Sequence, residues 1–321
     1  MATRKRVLVC GASGFIGRNL FETLSQRKDL DVYGTYLTNN DLNRQPAHQR
    51  LWRVNFTDLE SARKITKGFD VVINAAAMTD GSGAVKAHPE IYIAISNRIN
   101  TNIIEAVYEN KVPQFIFMSC TMMYPSSSRP LKEEEAELTN IYAWVKVFAE
   151  QLCQFYSKIG QTKYTAIRHS NIYGPYDKFD LNRGHVFAAT ITKVMTGTNG
   201  SKIIMWGQGS EKRDFLHIFD LLRFTELVID NADCEYDVFN VGLGKSFSVK
   251  ELSDKIVSLS GKELSIEWDT SKSSTDTKIL IDIKKAEKVL GWKPTIDIDE
   301  GIRQTIRWYL ENHPKGGRDV R

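Results

Sequence analysis

Three glycines at three-residue spacing, Gly11, Gly14 and Gly17, follow directly on the apolar run Val7-Leu-Val-Cys10 and lead into a helical pattern of Leu20, Phe21 and Leu24. This reads as a strand, a tight turn and a helix. The first glycine permits the turn, the second lets a pyrophosphate approach the backbone, and the third lets helix and strand pack closely with the helix N-terminus facing the phosphates. Gly11, Ser13, Gly14, Phe15, Ile16 and Gly17 are therefore the expected dinucleotide-binding residues. A plain strand-to-helix connection also uses glycines, and the spacing here is not the Gly-x-Gly-x-x-Gly of ordinary dehydrogenases. Its place after the first strand of the chain favours the ligand-binding reading.

The remainder alternates strands and helices. A second strand is expected over 31–37, and at its end, where an NAD enzyme places an acid on the adenosine ribose, stand Thr35, Tyr36 and Leu37. With no carboxylate there, Arg18 is the candidate to meet a 2′-phosphate, which puts NADP(H) ahead of NAD(H). A strand over 51–56 places Asn55 and Phe56 to flank an adenine. Thr57 and Asp58 then supply capping chemistry for a helix from Leu59. The run 70–77 is a buried strand ending in Ala75, Ala76 and Ala77, small enough to leave room for a cofactor or to pack tightly. Helical period from 89 to 109 leads to another buried strand over 114–119. This order predicts an α/β fold, a Rossmann-type doubly wound parallel sheet with a smaller C-terminal α/β substrate domain. The expected dinucleotide domain is 1–174 with 213–242 returning to it, its last strand at 239–242. The second domain takes 175–212 and 243–314, where Ser248 and Glu251 have capping-box spacing, and 315–321 is a tail.

Composition narrows the partners. Forty-three basic against 39 acidic residues give a net charge of +4, too balanced to argue for nucleic acid or a membrane surface. No apolar run approaches the roughly 20 residues of a membrane span, and the run after the basic start breaks at Gly11, too early for a secretory leader. The four cysteines lack Cys-x-x-Cys spacing and the six histidines form no His-x-x-x-His pair. Free thiols, a cytoplasmic location and no metal site are the expectations.

Tyr142 and Lys146 lie four residues apart in a long helical pattern, hence on one face. A phenol titrates near about 10, and a neighbouring ammonium with a bound nicotinamide would bring it into acid–base range. An amphipathic helix with a packed Tyr and a solvated Lys would look the same.

Taken together, the glycine turn, the small-residue strand end at 74–77, Tyr142-x-x-x-Lys146, Asn171-Ile-Tyr-Gly-Pro175 and Leu290-Gly-Trp-Lys-Pro294 resemble the extended short-chain dehydrogenases that act on nucleotide sugars. The resemblance spans residues 6–312. The substrate half is similar to the GDP-L-fucose synthase family in 171–180, 184–186, 205–215, Asp80-Gly81-Ser-Gly83 and 269–272. That family reduces a GDP-linked 4-keto-6-deoxy sugar with NADPH after epimerising carbons 3 and 5, and its members commonly dimerise through the helix carrying the Tyr and Lys and the helix before Asn110. The resemblance implies that Tyr142 protonates the C4 oxygen, that Lys146 holds the nicotinamide ribose and that His185 acts as an acid in epimerisation. It also implies that Asn171, Val186, Lys193, Trp206, Arg213 and Lys278 bind the nucleotide sugar. Two positions depart from the pattern. The family's catalytic hydroxyl falls on Cys120, a poor donor, with Thr121 beside it as a substitute. The epimerising cysteine falls on Met122, which transfers no proton, so the reduction is implied more strongly than the 3,5-epimerisation. The alternative is an NAD-dependent nucleotide-sugar 4-epimerase or 4,6-dehydratase. Against it, no Asp-Glu pair stands at 120–122 and no ribose-binding acid stands near Tyr36.

Overall fold

The computed structural model describes residues 4–38, 50–78, 88–138, 140–181, 183–231, 233–272 and 276–313. The segment Asp80-Gly81-Ser82-Gly83 and the tail lie outside them. A seven-stranded sheet is built from β1 (Lys5–Cys10), β2 (Leu30–Tyr36), β3 (Leu51–Arg53), β4 (Val71–Asn74), β5 (Gln114–Cys120), β6 (Lys163–His169) and β10 (Tyr236–Val241). Its order is β10-β6-β5-β4-β1-β2-β3, and every pairing is parallel. The direction of winding reverses between β1 and β4, which opens a crevice at the carboxyl ends of the strands, the place where such sheets bind ligands.

Period-two alternation loads both faces. Val7 and Val9 point into one core with Leu20, Phe21, Leu221 and Phe224, contributed by α1 (Phe15–Leu24) and α6 (Ile218–Asn231). Leu8 and Cys10 point into the other, with Ile103, Val107, Ala149 and Cys153. The helices on that side are α2 (Leu59–Thr66), α3 (Pro89–Glu109) and α4 (Ile141–Ile159). The strand expected over 51–56 stops at Arg53, because the Asn55 side chain accepts from the Thr57 N–H at 3.1 Å and turns the chain. The strand expected over 70–77 stops at Asn74, leaving the three alanines beyond it. Asp58 caps α2 by accepting from the Ser61 N–H.

A third core gathers Tyr173, Phe187, Ile191, Phe215, Leu252, Ile256, Ile302 and Tyr309. Around it lie a three-stranded sheet of order β11-β9-β7 and a two-stranded sheet of β12 and β8. Their strands are β7 (Asn171–Tyr173), β8 (Lys202–Trp206), β9 (Lys212–His217), β11 (Ser246–Ser248) and β12 (Ser265–Asp269). The helices around it are α5 (Val186–Thr196), α7 (Val249–Leu259) and α9 (Ile298–Asn312), while α8 (Lys284–Leu290) sets Ala286 into the first core. Ser248 and Glu251 form both halves of the capping box on α7. Among the described residues, no helix is long and apolar enough to cross a membrane. All four cysteines are free.

One buried ion pair joins the central strands to α4. Arg168 on β6 donates to Glu150 at 2.6 Å, with 8% and 4% of their side chains exposed. Glu150 also accepts from the Ser119 hydroxyl at 2.5 Å, and Arg168 reaches the Tyr124 hydroxyl at 3.0 Å, which in turn donates to Asn240 on β10. Breaking one side of such a pair leaves an uncompensated buried charge, costing about 3–5 kcal/mol. Arg168→Met should lower the urea midpoint accordingly, and adding Glu150→Gln should restore part of the loss. A single substitution within about 0.5 kcal/mol of the parent would contradict this account.

Candidate active site

The turn after β1 is fixed by the chain's own backbone. Gly11 takes φ +81°, and a β-carbon there would fall 2.7 Å from the Ala76 Cα. One on Gly17 would fall 2.1 Å from the Gly11 carbonyl oxygen. Gly14 differs, since a β-carbon would meet only that same oxygen at an ordinary 3.4 Å. Packing requires the outer two glycines and leaves the middle one to whatever lies outside the helix. There α1 begins on Gly14 with no side-chain cap and no acidic residue in its first turn. Free N–H groups at the positive end of a helix dipole, with Ser13, Phe15 and Ile16 contributing backbone, fit a pyrophosphate.

The end of β2 shows what replaces the ribose acid. Thr35 is buried, its hydroxyl accepting from the Gly11 N–H at 3.1 Å and its carbonyl from the Ala12 N–H at 2.7 Å. This residue braces the glycine turn, a role the sequence reading did not assign. Arg18 lies over the Tyr176 ring at 3.8 Å and pairs with Glu22 at 2.9 Å. Its guanidinium is thus engaged within the protein, between α1 and the loop after β7. Phe56, expected beside an adenine, is 5% exposed and packs in the second core. Asn55 spends its side-chain oxygen on Thr57. Beyond β4, the Ala76 N–H donates to Asn74, Ala75 packs on the core, and Ala77 is exposed.

At the carboxyl ends of β5 and β6 the reactive groups converge. Asn140 caps α4 by accepting from the Tyr142 and Ala143 N–H groups, fixing the first turn that carries the phenol. Tyr142 packs on Tyr92 of α3, ring centroids 4.8 Å apart. Burial raises the Tyr142 phenol above its ordinary range. The Lys146 ammonium donates to the Met118 carbonyl at 2.7 Å and lies over Phe117, with its own pKa lowered by burial. Burial also raises the Cys120 thiol. Thr121 is 5% exposed, and its hydroxyl has no hydrogen-bond partner among the described residues. The missed residue is His169, last in β6 and in register with Cys120. A histidine ending a buried run, just before Ser170-Asn171, was the available signal.

The third core presents the other side. His185 precedes α5 and lies 3.5 Å from Asp177, which raises its pKa by favouring the imidazolium. Arg213 on β9 is half-buried, close enough to oppose that charge, and has no hydrogen bond or ion pair among the described residues. Lys278 bridges to the neighbouring Lys212. Asn171 is partly committed, its amide donating to the Asp214 carbonyl at 3.0 Å. Lys193 donates to the Ile204 carbonyl at 2.6 Å and lies 5.8 Å from the Trp206 ring, which is 62% exposed rather than core. Val186 opens α5 and packs partly on the core.

A model of the NAD dependent epimerase/dehydratase family matches residues 7–242. The chain belongs to this family. It is 28% identical to the GDP-L-fucose synthase of Escherichia coli (strain K12), covering 98% of this chain and 99% of that protein. It is equally 28% identical to a dTDP-4-dehydro-6-deoxy-D-allose reductase of a Streptomyces species, over 95% of this chain and 96% of the other. Among solved structures, the UDP-glucose 4-epimerase of Thermotoga maritima with UDP-glucose superimposes with a TM-score of 0.86 at 22% identity. That match covers 96% of this chain and 99% of the other and shows the family's fold.

The glycine contacts separate two roles. Gly14→Ala should leave thermal stability within about 1 kcal/mol, the propensity cost of such a change, while weakening dinucleotide binding at least about tenfold, or 1.4 kcal/mol. Gly17→Ala should damage both. Calorimetry with parallel cofactor titration would read this, and equal cofactor affinity in Gly14→Ala and the parent would sink it.

Proposed function

We propose that the protein is a cytoplasmic NADPH-dependent reductase of a nucleotide-linked 4-keto-6-deoxy sugar, with GDP the preferred nucleotide. The observation that carries this is Arg213, a half-buried guanidinium with no hydrogen bond or ion pair among the described residues, close enough to His185 to oppose its charge. Glu211 offsets part of this charge from a distance, but no carboxylate bonds the guanidinium directly, and a diphosphate suits its paired donors. Lys278 adds a second cation, and the exposed Trp206 face offers a wall for a base. The curated relatives named above, one GDP-linked and one dTDP-linked, support a nucleotide-sugar substrate.

The glycine turn and Lys146 would hold a nicotinamide dinucleotide, which would supply hydride to carbon 4. The protein's part is to place the ketone and supply the proton. Tyr142, held protonated by burial, gives its proton to the carbonyl oxygen as it becomes an alcohol. Thr121 donates a hydrogen bond to the same oxygen, a task the neutral Cys120 thiol performs poorly. Lys146 orients the nicotinamide ribose.

A second reading, an NAD-dependent 4-epimerase, draws on Arg18. That guanidinium is already held by Glu22 and Tyr176, which removes weight from the 2′-phosphate argument. Purified enzyme carrying stoichiometric NAD and interconverting C4 epimers without net oxidation would favour this reading. NADPH oxidation with GDP-4-keto-6-deoxymannose would favour the first. In that assay Tyr142→Phe should lose about 10²- to 10⁴-fold in turnover with NADPH affinity unchanged, and undiminished turnover would remove Tyr142 from the mechanism.

We also assign a homodimer through α3 and α4. Trp144, Phe148, Phe155 and Ile159 share one side of α4 at spacings of four, seven and four, and each is 45% or more exposed. Sedimentation should return twice the 36.5 kDa chain mass, and Trp144→Glu with Phe155→Glu should return one.

A further inference from the structure

His169 is a titratable group at the site that the reduction does not use. His169 closes β6 in register with Cys120, neighbouring strands standing about 4.8 Å apart. Its Nδ1 lies 2.9 Å from the Ser170 carbonyl oxygen. A carbonyl only accepts, so this contact puts the proton on Nδ1 and leaves a lone pair on Nε2. Nε2 has no partner among the described residues, and the side chain is half-buried at the carboxyl end of the sheet. The charges that reach it are Lys146 on α4 and His185 before α5. The imidazole is therefore within electrostatic reach of both the lysine of the reduction site and the histidine of the substrate side.

The geometry points to His169 Nε2 as the base that removes a proton from a carbon next to the substrate's keto group, with His185 as the acid that returns one. This rests on the keto-sugar reading of the site. The carbon–hydrogen bond breaks toward Nε2, its electron pair forms a carbon–carbon double bond to carbon 4, and the carbonyl electrons move to the oxygen under the Tyr142 hydroxyl. Reprotonation of the same carbon by His185 regenerates the ketone. The net change is an inverted centre, with no oxidant or reductant consumed.

The two imidazoles have environments that push them apart. Burial, helped by Lys146 and His185, holds His169 down to about 4, neutral and ready to accept. Asp177 raises His185, keeping it charged and ready to donate. Opposed pKa shifts in two groups that feel each other's charge suit a base and an acid with divided roles. Met122 carries no titratable proton, so His169 does not duplicate a group already supplied there.

The test uses the full chain with GDP-4-keto-6-deoxymannose in deuterium oxide, reading deuterium at carbons 3 and 5 by NMR without NADPH, then NADPH oxidation separately. His169→Asn keeps a donor for the Ser170 carbonyl and lacks the base, and His169→Gln is the second variant in case one folds poorly. The expected result is exchange in the parent and a loss of about 10²-fold or more in the variants, with NADPH affinity retained. Exchange at parental rate in either folded variant overturns the inference. So does NADPH oxidation without exchange in the parent, and there the reductase reading stands. Neither exchange nor oxidation, with this sugar and its dTDP-linked counterpart, removes the reading and the inference together.

Discussion

Glu150 is the residue on which the reactive end of this molecule depends. A carboxylate buried between a helix and an apolar sheet is tolerable only when fully bonded, and the groups that bond it or share its helix lie at or next to the site residues. Ser119 precedes Cys120, Arg168 precedes His169, and Lys146 lies one turn before Glu150 on α4. The thiol, the imidazole and the ammonium are thus positioned by one charge rather than by three separate loops. Replacing the pair by hydrophobic residues could preserve stability and still lose the registration among them, since a buried network fixes direction where apolar packing fixes only volume.

The cofactor side relies on a different economy of contacts. Gly11 and Gly17 are demanded by backbone crowding, and Thr35 braces the turn from β2. Only Gly14 is left for a ligand to require. A motif of three glycines therefore contains two residues that report on folding and one that reports on binding, and their chemical identity does not distinguish them.

Legibility in the sequence followed the range of the forces involved. The parallel sheet, the Ser248–Glu251 capping box and the pairing of Tyr142 with Lys146 on one helical face all follow from spacing within a few residues, and the structure contains them. Contacts between distant segments were invisible. Nothing near Arg18 announces Tyr176, 158 positions later, and nothing near Tyr142 announces Tyr92. The Lys146 ammonium reached a carbonyl on β5 that spacing along α4 cannot reveal. The core packing of Phe56 just past the short β3 likewise depends on distant segments. His169 was overlooked for a related reason: its importance comes from lying beside Cys120 in the sheet, 49 positions away in sequence.

Tyr176 gives the Arg18 contact a wider meaning. It is one of two non-glycine residues with positive φ among those described, at 66°, a conformation that costs roughly 1–2 kcal/mol. Its ring lies between the Arg18 guanidinium and the Trp308 indole of α9. The strained residue is held from both sides, so the first turn of α1 and the helix α9 are mechanically in series. An anion strong enough to turn Arg18 away would also loosen the loop that carries Asp177, the partner of His185. Cofactor preference and the readiness of the substrate-side acid then become two readings of one balance.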